Sequence, residues 1–242
     1  MPENVRVIVE VAFNISYLLV VWGLVAVMTL RRAEVAPQDR KLASRVRWAF
    51  ALLALGDTGH VGFRVVAYAL GGLEANPVLV GMGAMSTAFT VTVFYMLVLD
   101  MWRIRFNRSL GVAGWLLLAA GVVRLVIMTL PQNQWQLVVP PYGFSLLRNA
   151  FLVIQGLGVL ALILRDAGPV KDRTFQWIGA MIILSFAFYT PVILWVGAIP
   201  LLGMLMIPKT LAYIGVAVIA YRALYPRLRK QTISAAEASA SD

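Results

Sequence analysis

The chain has 242 residues, of which 61% are hydrophobic and only 13% are charged, and its formal net charge is +10. A soluble globular domain is nearer half apolar and a quarter charged, so this composition indicates an integral membrane protein. The absence of cysteine excludes disulfides and thiolate metal sites, and one histidine is too few for a histidine-based metal centre. We therefore expect no metal and no cofactor.

Seven apolar segments, each of about 20 residues, follow one another along the chain. They are too long for barrel strands and show no strict alternation, so each is predicted to be a membrane-spanning helix. We expect an all-α integral membrane protein with a single seven-helix domain over residues 1–230 and a disordered cytoplasmic tail at 231–242. The predicted spans are residues 7–30, 48–72, 77–102, 110–130, 144–164, 175–196 and 201–224.

Basic residues are concentrated in alternate connections. Six follow the first span, three the third and three the fifth, and four lie in the last turn of the seventh span or after it, whereas the connections after the second, fourth and sixth spans contain none. The positive-inside rule therefore predicts an outside N-terminus and a cytoplasmic C-terminus. Asp100 is expected to pair with Arg103 at the cytoplasmic interface.

This placement also bears on partners and location. The loop cations are expected to meet anionic lipid headgroups, so the basic charge does not imply nucleic acid. The predicted location is the plasma membrane or a bacterial inner membrane. A homo-oligomer and a signalling partner are both left open.

Ionisable residues also lie inside the predicted spans, where a charge is costly unless it faces the bundle interior and finds a partner. In the second span Asp57 and His60 lie one turn apart. We count 1.5 Å of rise per residue from the cytoplasmic end of each span. On this count the acid, the histidine and four cations from four spans all lie at the membrane midplane or on its outer side. The cations are Arg64, Arg124, Arg148 and Lys209, and the uncharged polar side chains considered with them are Tyr189, Tyr213 and Gln155.

Cations outnumber acids in this outer half of the predicted bundle. A buried cation without a partner costs several kcal/mol, so something should neutralise the excess. The main prediction is an outward-facing polar pocket between helices that binds a small anionic or amphiphilic ligand, for transport or for sensing. Asp57 and His60 would form an internal ion pair or a proton switch. The simpler alternatives are an Asp57–Lys209 salt bridge, and Arg64 and Arg148 side chains that extend to the outer surface.

An enzyme buried in the membrane is a second hypothesis, although we favour a protein that is not an enzyme. A carboxylate beside an imidazole can set up base catalysis, so Asp57 and His60 would act on a lipid. The Gly56-Asp57 pair resembles one motif of the lysoplasmalogenase-type membrane hydrolases. The second acidic motif of that family is absent from the later spans.

Two further families share the seven-span plan. The end of the last span, AYIGVAVIAYRA, is similar to the last helix of microbial rhodopsins, and this resemblance implies a retinal pigment. When this segment is aligned with that helix, the lysine that binds retinal in the family corresponds to Tyr213 and not to Lys209. Small sugar transporters of the three-one-three plan have the same span count, but their paired Pro-Gln motifs are missing here. Pro191 and Pro208 could still kink the sixth and seventh spans and allow gating.

Overall fold

The computed structural model describes residues 3–225, with side chains described from residue 8 onward. Over this range the chain has no sheet and forms seven helices long and apolar enough to cross a membrane. The prediction of seven such helices is thereby confirmed, while the predicted tail at 231–242 lies outside the described residues. The helices are α1 (Glu3–Leu30), α2 (Arg40–Ala69), α3 (Pro77–Arg105), α4 (Gly111–Thr129), α5 (Tyr142–Ala167), α6 (Arg173–Trp195) and α7 (Met206–Leu224).

Two helix starts differ from the sequence prediction by five residues or more. α2 begins at Arg40, eight residues before the predicted start at residue 48. The first two turns of the helix are rich in basic residues, so the apolar pattern of the sequence did not include them in the span. α7 is preceded by a separate 3-10 helix, Pro200–Leu205, which the predicted seventh span had included. Pro208 lies in the first turn of α7, where a missing backbone N–H costs no helical hydrogen bond.

The turn between α2 and α3 shows how local sequence sets these boundaries. Gly71 and Gly72 have φ values of 105° and 109°, a region that glycine adopts without steric cost. The Asn76 side-chain amide donates to the carbonyls of Ala67, Leu70 and Gly72, which caps the end of α2. Pro77 then occupies the first turn of α3.

The seven helices form a closed ring in which each helix contacts the next and α1 contacts α7. α3 also contacts α5, and α2 also contacts α7. We call the end that holds the start of α1 and the α2–α3, α4–α5 and α6–α7 connections the N-terminal end. The other end holds the α1–α2, α3–α4 and α5–α6 connections, and we call it the basic end.

Polarity is distributed as expected for a bundle that faces hydrocarbon. On α4, Trp115 and Leu116 are 61% and 65% exposed, whereas Arg124 on the same helix is 2% exposed. Gln155 on α5 is fully buried. The outer surface is thus apolar and several polar groups lie inside, the arrangement that a lipid environment favours.

Ion pairs join the helices at the basic end. Asp100 accepts from Arg45 at 2.6 Å and from Arg103 at 2.7 Å, which confirms the predicted pairing with Arg103. Arg105 pairs with Asp172 at 2.7 Å, and the same carboxylate caps α6 by accepting from the backbone N–H of Phe175. These contacts tie α2 to α3 and α3 to the start of α6.

Two further contacts complete this end of the bundle. The Trp102 indole N–H donates to the Asp166 carboxylate at 2.9 Å and joins α3 to α5. Arg31, just after α1, donates to Glu34 at 2.6 Å and to the Tyr221 hydroxyl of α7 at 2.5 Å. Its hydrogen bonds to Glu34 and then to Tyr221 raise the pKa of Arg31 above the usual value for arginine.

Candidate functional site

Asp57 lies on α2 and is held by hydroxyl groups from two other helices. Its carboxylate accepts from the Tyr17 hydroxyl of α1 at 2.6 Å and from the Thr87 hydroxyl of α3 at 2.7 Å. Among the residues whose side chains are described, no cationic group lies within ion-pair distance of this carboxylate. The alternative of an Asp57–Lys209 salt bridge is therefore not formed in this structure, because two hydroxyl donors occupy the carboxylate oxygens instead.

His60 lies one turn further along α2, against the backbone of α3. A Cβ added to Gly83 would lie 3.1 Å from the His60 Cα, so the two helices approach each other closely here. The His60 Nδ1 is buried and has no hydrogen-bond partner among the described residues. The imidazole lies within electrostatic range of Asp57, Arg64 and Lys209, but the structure forms no hydrogen bond between His60 and Asp57.

Lys209 lies in the first turn of α7 and projects its ammonium over two tyrosine rings. The Nζ lies 4.6 Å from the ring centre of Tyr189 and 5.5 Å from that of Tyr213. Within the described part of the chain it has neither a hydrogen bond nor an ion pair, although Asp57 lies within electrostatic range. Cation–π contacts stabilise an ammonium by roughly 0.5–2 kcal/mol, less than its loss of hydration costs.

The two tyrosines are themselves fixed by hydrogen bonds. The Tyr189 hydroxyl donates to the Asn149 side chain at 3.0 Å, and the Tyr213 hydroxyl shares a hydrogen bond with Tyr95 at 2.9 Å. Asp57, His60, Lys209 and Tyr189 are all half-buried, whereas Tyr213 is buried. We call Asp57, His60, Thr87, Tyr189 and Lys209 the crevice residues, since they combine an interior position with accessible surface.

Arg124 is positioned differently, because the protein itself uses its donors. Its Nε donates to the carbonyl of Arg148 at 2.8 Å, and its Nη1 donates to the carbonyl of Ala88 at 2.9 Å and to the Thr92 hydroxyl. These contacts join α3, α4 and α5 through one side chain. Arg124 is thus a structural cross-link that carries positive charge into the bundle.

Arg148 is 8% exposed, so its side chain does not extend to the outer surface. Its Nη1 donates to the Asn133 side chain at 3.1 Å, and its guanidinium lies 4.4 Å from the Trp135 ring centre. Asn133 and Trp135 are not among the predicted site residues, because they lie in the connection between the fourth and fifth predicted spans. Arg64 forms an ion pair with Glu10 of α1 at 2.8 Å.

Gln155 is fully buried, and neither its amide nitrogen nor its amide oxygen has a partner among the described residues. The side chain packs against Gly121 of α4, where an added Cβ would lie 2.4 Å from Nε2. The predicted residues therefore separate into two groups. Asp57, His60, Lys209, Tyr189 and Tyr213 surround one interior region, whereas Arg124, Arg148 and Gln155 are buried on α4 and α5. Arg64, paired with Glu10, belongs to neither group.

Comparison of the chain with family models, with characterised proteins and with solved structures finds no match, so its function has to be inferred from the sequence and the geometry.

Proposed function

We propose that the protein binds a small anionic or amphiphilic molecule among the crevice residues, between α1, α2, α3, α6 and α7. The protein would lie in a plasma membrane or a bacterial inner membrane, with the N-terminal end facing outside. Binding would serve transport or sensing. This proposal keeps the ligand class indicated by the sequence and moves the centre of the site to Lys209.

The observation that carries the proposal is the ammonium of Lys209, which is half-buried and has no acceptor among the described residues. A cation in a low-dielectric interior is costly unless an anion lies nearby. The nearest interior acid, Asp57, already accepts two hydrogen bonds from Tyr17 and Thr87. A ligand carboxylate or a similar single negative charge would meet the free donors of Lys209.

The two buried arginines would support binding without touching the ligand. Arg124 and Arg148 have no acidic partner among the described residues, so they add positive potential to the N-terminal half of the bundle. Electrostatic interactions weaken slowly with distance in a low-dielectric interior. Arg64 contributes less, because Glu10 neutralises it.

The hydrolase and retinal hypotheses remain predictions. A catalytic pair would require a hydrogen bond between His60 and Asp57. In the described contacts the Asp57 carboxylate accepts from Tyr17 and Thr87 instead. The anion-binding proposal needs no change in these contacts.

The proposal is tested with a fluorescent fatty acid and its uncharged methyl ester as probes of the purified protein. We expect Lys209→Met to weaken binding of the acid by about tenfold or more, which corresponds to about 1.4 kcal/mol, and to leave the ester unaffected. Lys171→Met is the matched control, because Lys171 is an exposed lysine at the basic end. Unchanged affinity for the acid in a folded Lys209→Met variant would contradict the proposal.

A further inference from the structure

Directly beside the crevice residues, aromatic side chains pack across the interior of the bundle. The ring centres of Phe50 and Phe94 lie 5.6 Å apart, those of Phe94 and Tyr213 lie 5.5 Å apart, and those of Tyr95 and Phe186 lie 5.7 Å apart. All five side chains are buried. We call Phe50, Phe94, Tyr95, Phe186 and Tyr213 the aromatic layer.

A pocket lies on the other side of this layer, towards the basic end. Apolar side chains of α2, α3, α6 and α7 form its walls. Its polar residues, Asp39, Arg105 and Thr174, lie at helix ends, so the pocket opens towards the basic end. We call it the basic-end pocket, and its walls include Val46, Phe50, Met101, Ile178, Val216 and Ala220.

The same order of residues occurs on four helices. On α3, Thr87 contacts Asp57, Phe94 lies seven residues later in the layer, and Met101 lies seven residues later again in the pocket. At 1.5 Å per residue, Thr87 and Phe94 are separated by about 10 Å along the helix. The corresponding residues are Asp57, Phe50 and Val46 on α2, Tyr189, Phe186 and Ile178 on α6, and Lys209, Tyr213 and Val216 on α7.

From this order we infer that the crevice, the aromatic layer and the basic-end pocket are three parts of one transmembrane pathway, which the layer closes in this structure. The inference rests on the proposed function and deepens it, because it makes the bound anion a transported solute. A closed aromatic layer excludes water, and an ion cannot cross it without losing its hydration. Movement of the layer would connect the two sides.

A proline inside α6 gives the pathway a means to open. Pro191 lies inside α6, two residues after Tyr189, and removes a backbone hydrogen bond from that helix. Pro208 precedes Lys209 at the start of α7. Helices bend most readily where proline interrupts the hydrogen-bond ladder, so α6 can bend beside the crevice.

The cysteine-free chain allows each side of the pathway to be probed with one introduced thiol. Met206→Cys reports on the crevice side, one turn before Lys209, and Ala220→Cys reports on the basic-end pocket. Ala119→Cys, on the exposed face of α4, is the lipid-facing control. With a membrane-impermeant thiol reagent, we expect the first to react only from the N-terminal side, the second only from the basic side and the third from neither.

Opening of the layer is tested by combining Ala220→Cys with Phe94→Ala. We expect the thiol to become reactive from the N-terminal side, with a rate increase of about tenfold or more. Phe106→Ala is the matched control, because Phe106 pairs with Phe175 at the basic end and lies outside the layer. Phe94→Leu replaces Phe94→Ala if that variant does not fold.

Either of two results would overturn the pathway: Ala220→Cys reacting no faster than Ala119→Cys, or unchanged sidedness in the folded Phe94 variant. Failure of the anion proposal can be told apart from failure of the pathway. In that case Lys209→Met would bind the fatty acid with unaltered affinity, while the side from which the thiols react would still depend on Phe94.

Discussion

Arg124 shows how a guanidinium can be held inside a helix bundle without an acidic partner. A backbone carbonyl carries a partial negative charge and cannot be protonated, so it accepts from arginine without requiring a second buried ion. Arg124 uses two such carbonyls and one hydroxyl, from Arg148, Ala88 and Thr92. The planar guanidinium suits this role, because its donors point in fixed directions towards different helices.

We expect Arg124→Gln to destabilise the protein by about 2–4 kcal/mol, because it removes the hydrogen bonds from a charged donor that join α4 to α3 and α5. The matched variant Arg148→Gln should cost less. It frees the Asn133 side-chain oxygen and the Ser145 hydroxyl, which Arg148 contacts at 3.5 Å, while the Asn133 amide keeps its bonds to Ile127 and Leu130. Thermal unfolding in detergent measures both variants. An equal or smaller loss for Arg124→Gln would show that its contacts are not the cross-link we describe.

Helix positions could be predicted from the sequence, whereas helix faces could not. Hydropathy located all seven helices, because long apolar segments have no other stable form in hydrocarbon. It missed the first turns of α2, since a helix that leaves the membrane can continue in basic residues such as Arg45. Hydropathy also could not predict the contact between Asp57 and Tyr17, because the rotation of α1 relative to α2 is set by side-chain packing along both helices.

Close approach of α2 and α3 illustrates this packing. A Cβ added to Gly56 would lie 1.8 Å from the Thr90 hydroxyl oxygen and 2.8 Å from the Thr90 Cβ, while one added to Gly59 would lie 2.5 Å from the Ser86 hydroxyl oxygen. These glycines let the two backbones approach each other, as small residues do in membrane helix pairs. Asp57, between them, is thereby brought to Thr87.

We expect Gly56→Ala to destabilise the α2–α3 pair by about 1–3 kcal/mol through overpacking. Gly62→Ala on the same helix is the control, since its Cβ would meet no atom within 4 Å, and it should be neutral or stabilising by up to about 1 kcal/mol. Chemical unfolding in mixed detergent micelles compares the two. The double variant Gly56→Ala with Thr90→Ala should recover part of the lost stability, because it removes the hydroxyl at 1.8 Å and keeps only the Cβ contact at 2.8 Å. A lack of any recovery would locate the strain elsewhere.

At the scale of the whole molecule, the charges divide the bundle into two unlike ends. Among the residues whose side chains are described, the exposed cations lie at the basic end, and acids there are tied into ion pairs such as Arg105–Asp172 and Arg45–Asp100. The N-terminal end has connections without any basic residue. An asymmetric bundle of this kind has one favoured orientation in a membrane with anionic lipid on its inner side.

Orientation therefore decides which compartment the crevice faces, and reporter fusions can measure it. A periplasmic-type phosphatase fused within the α4–α5 connection, at Leu137, should be active, whereas the same enzyme after the last residue should be inactive. Green fluorescent protein should give the reverse pattern, because it matures on the cytoplasmic side. Replacing Arg103, Arg105 and Arg108 by glutamine should weaken this preference, since the positive-inside rule counts the cations flanking each helix. Phosphatase activity at the C-terminus of the unaltered chain would place the basic end outside, and the Lys209 crevice would then face the cytoplasm.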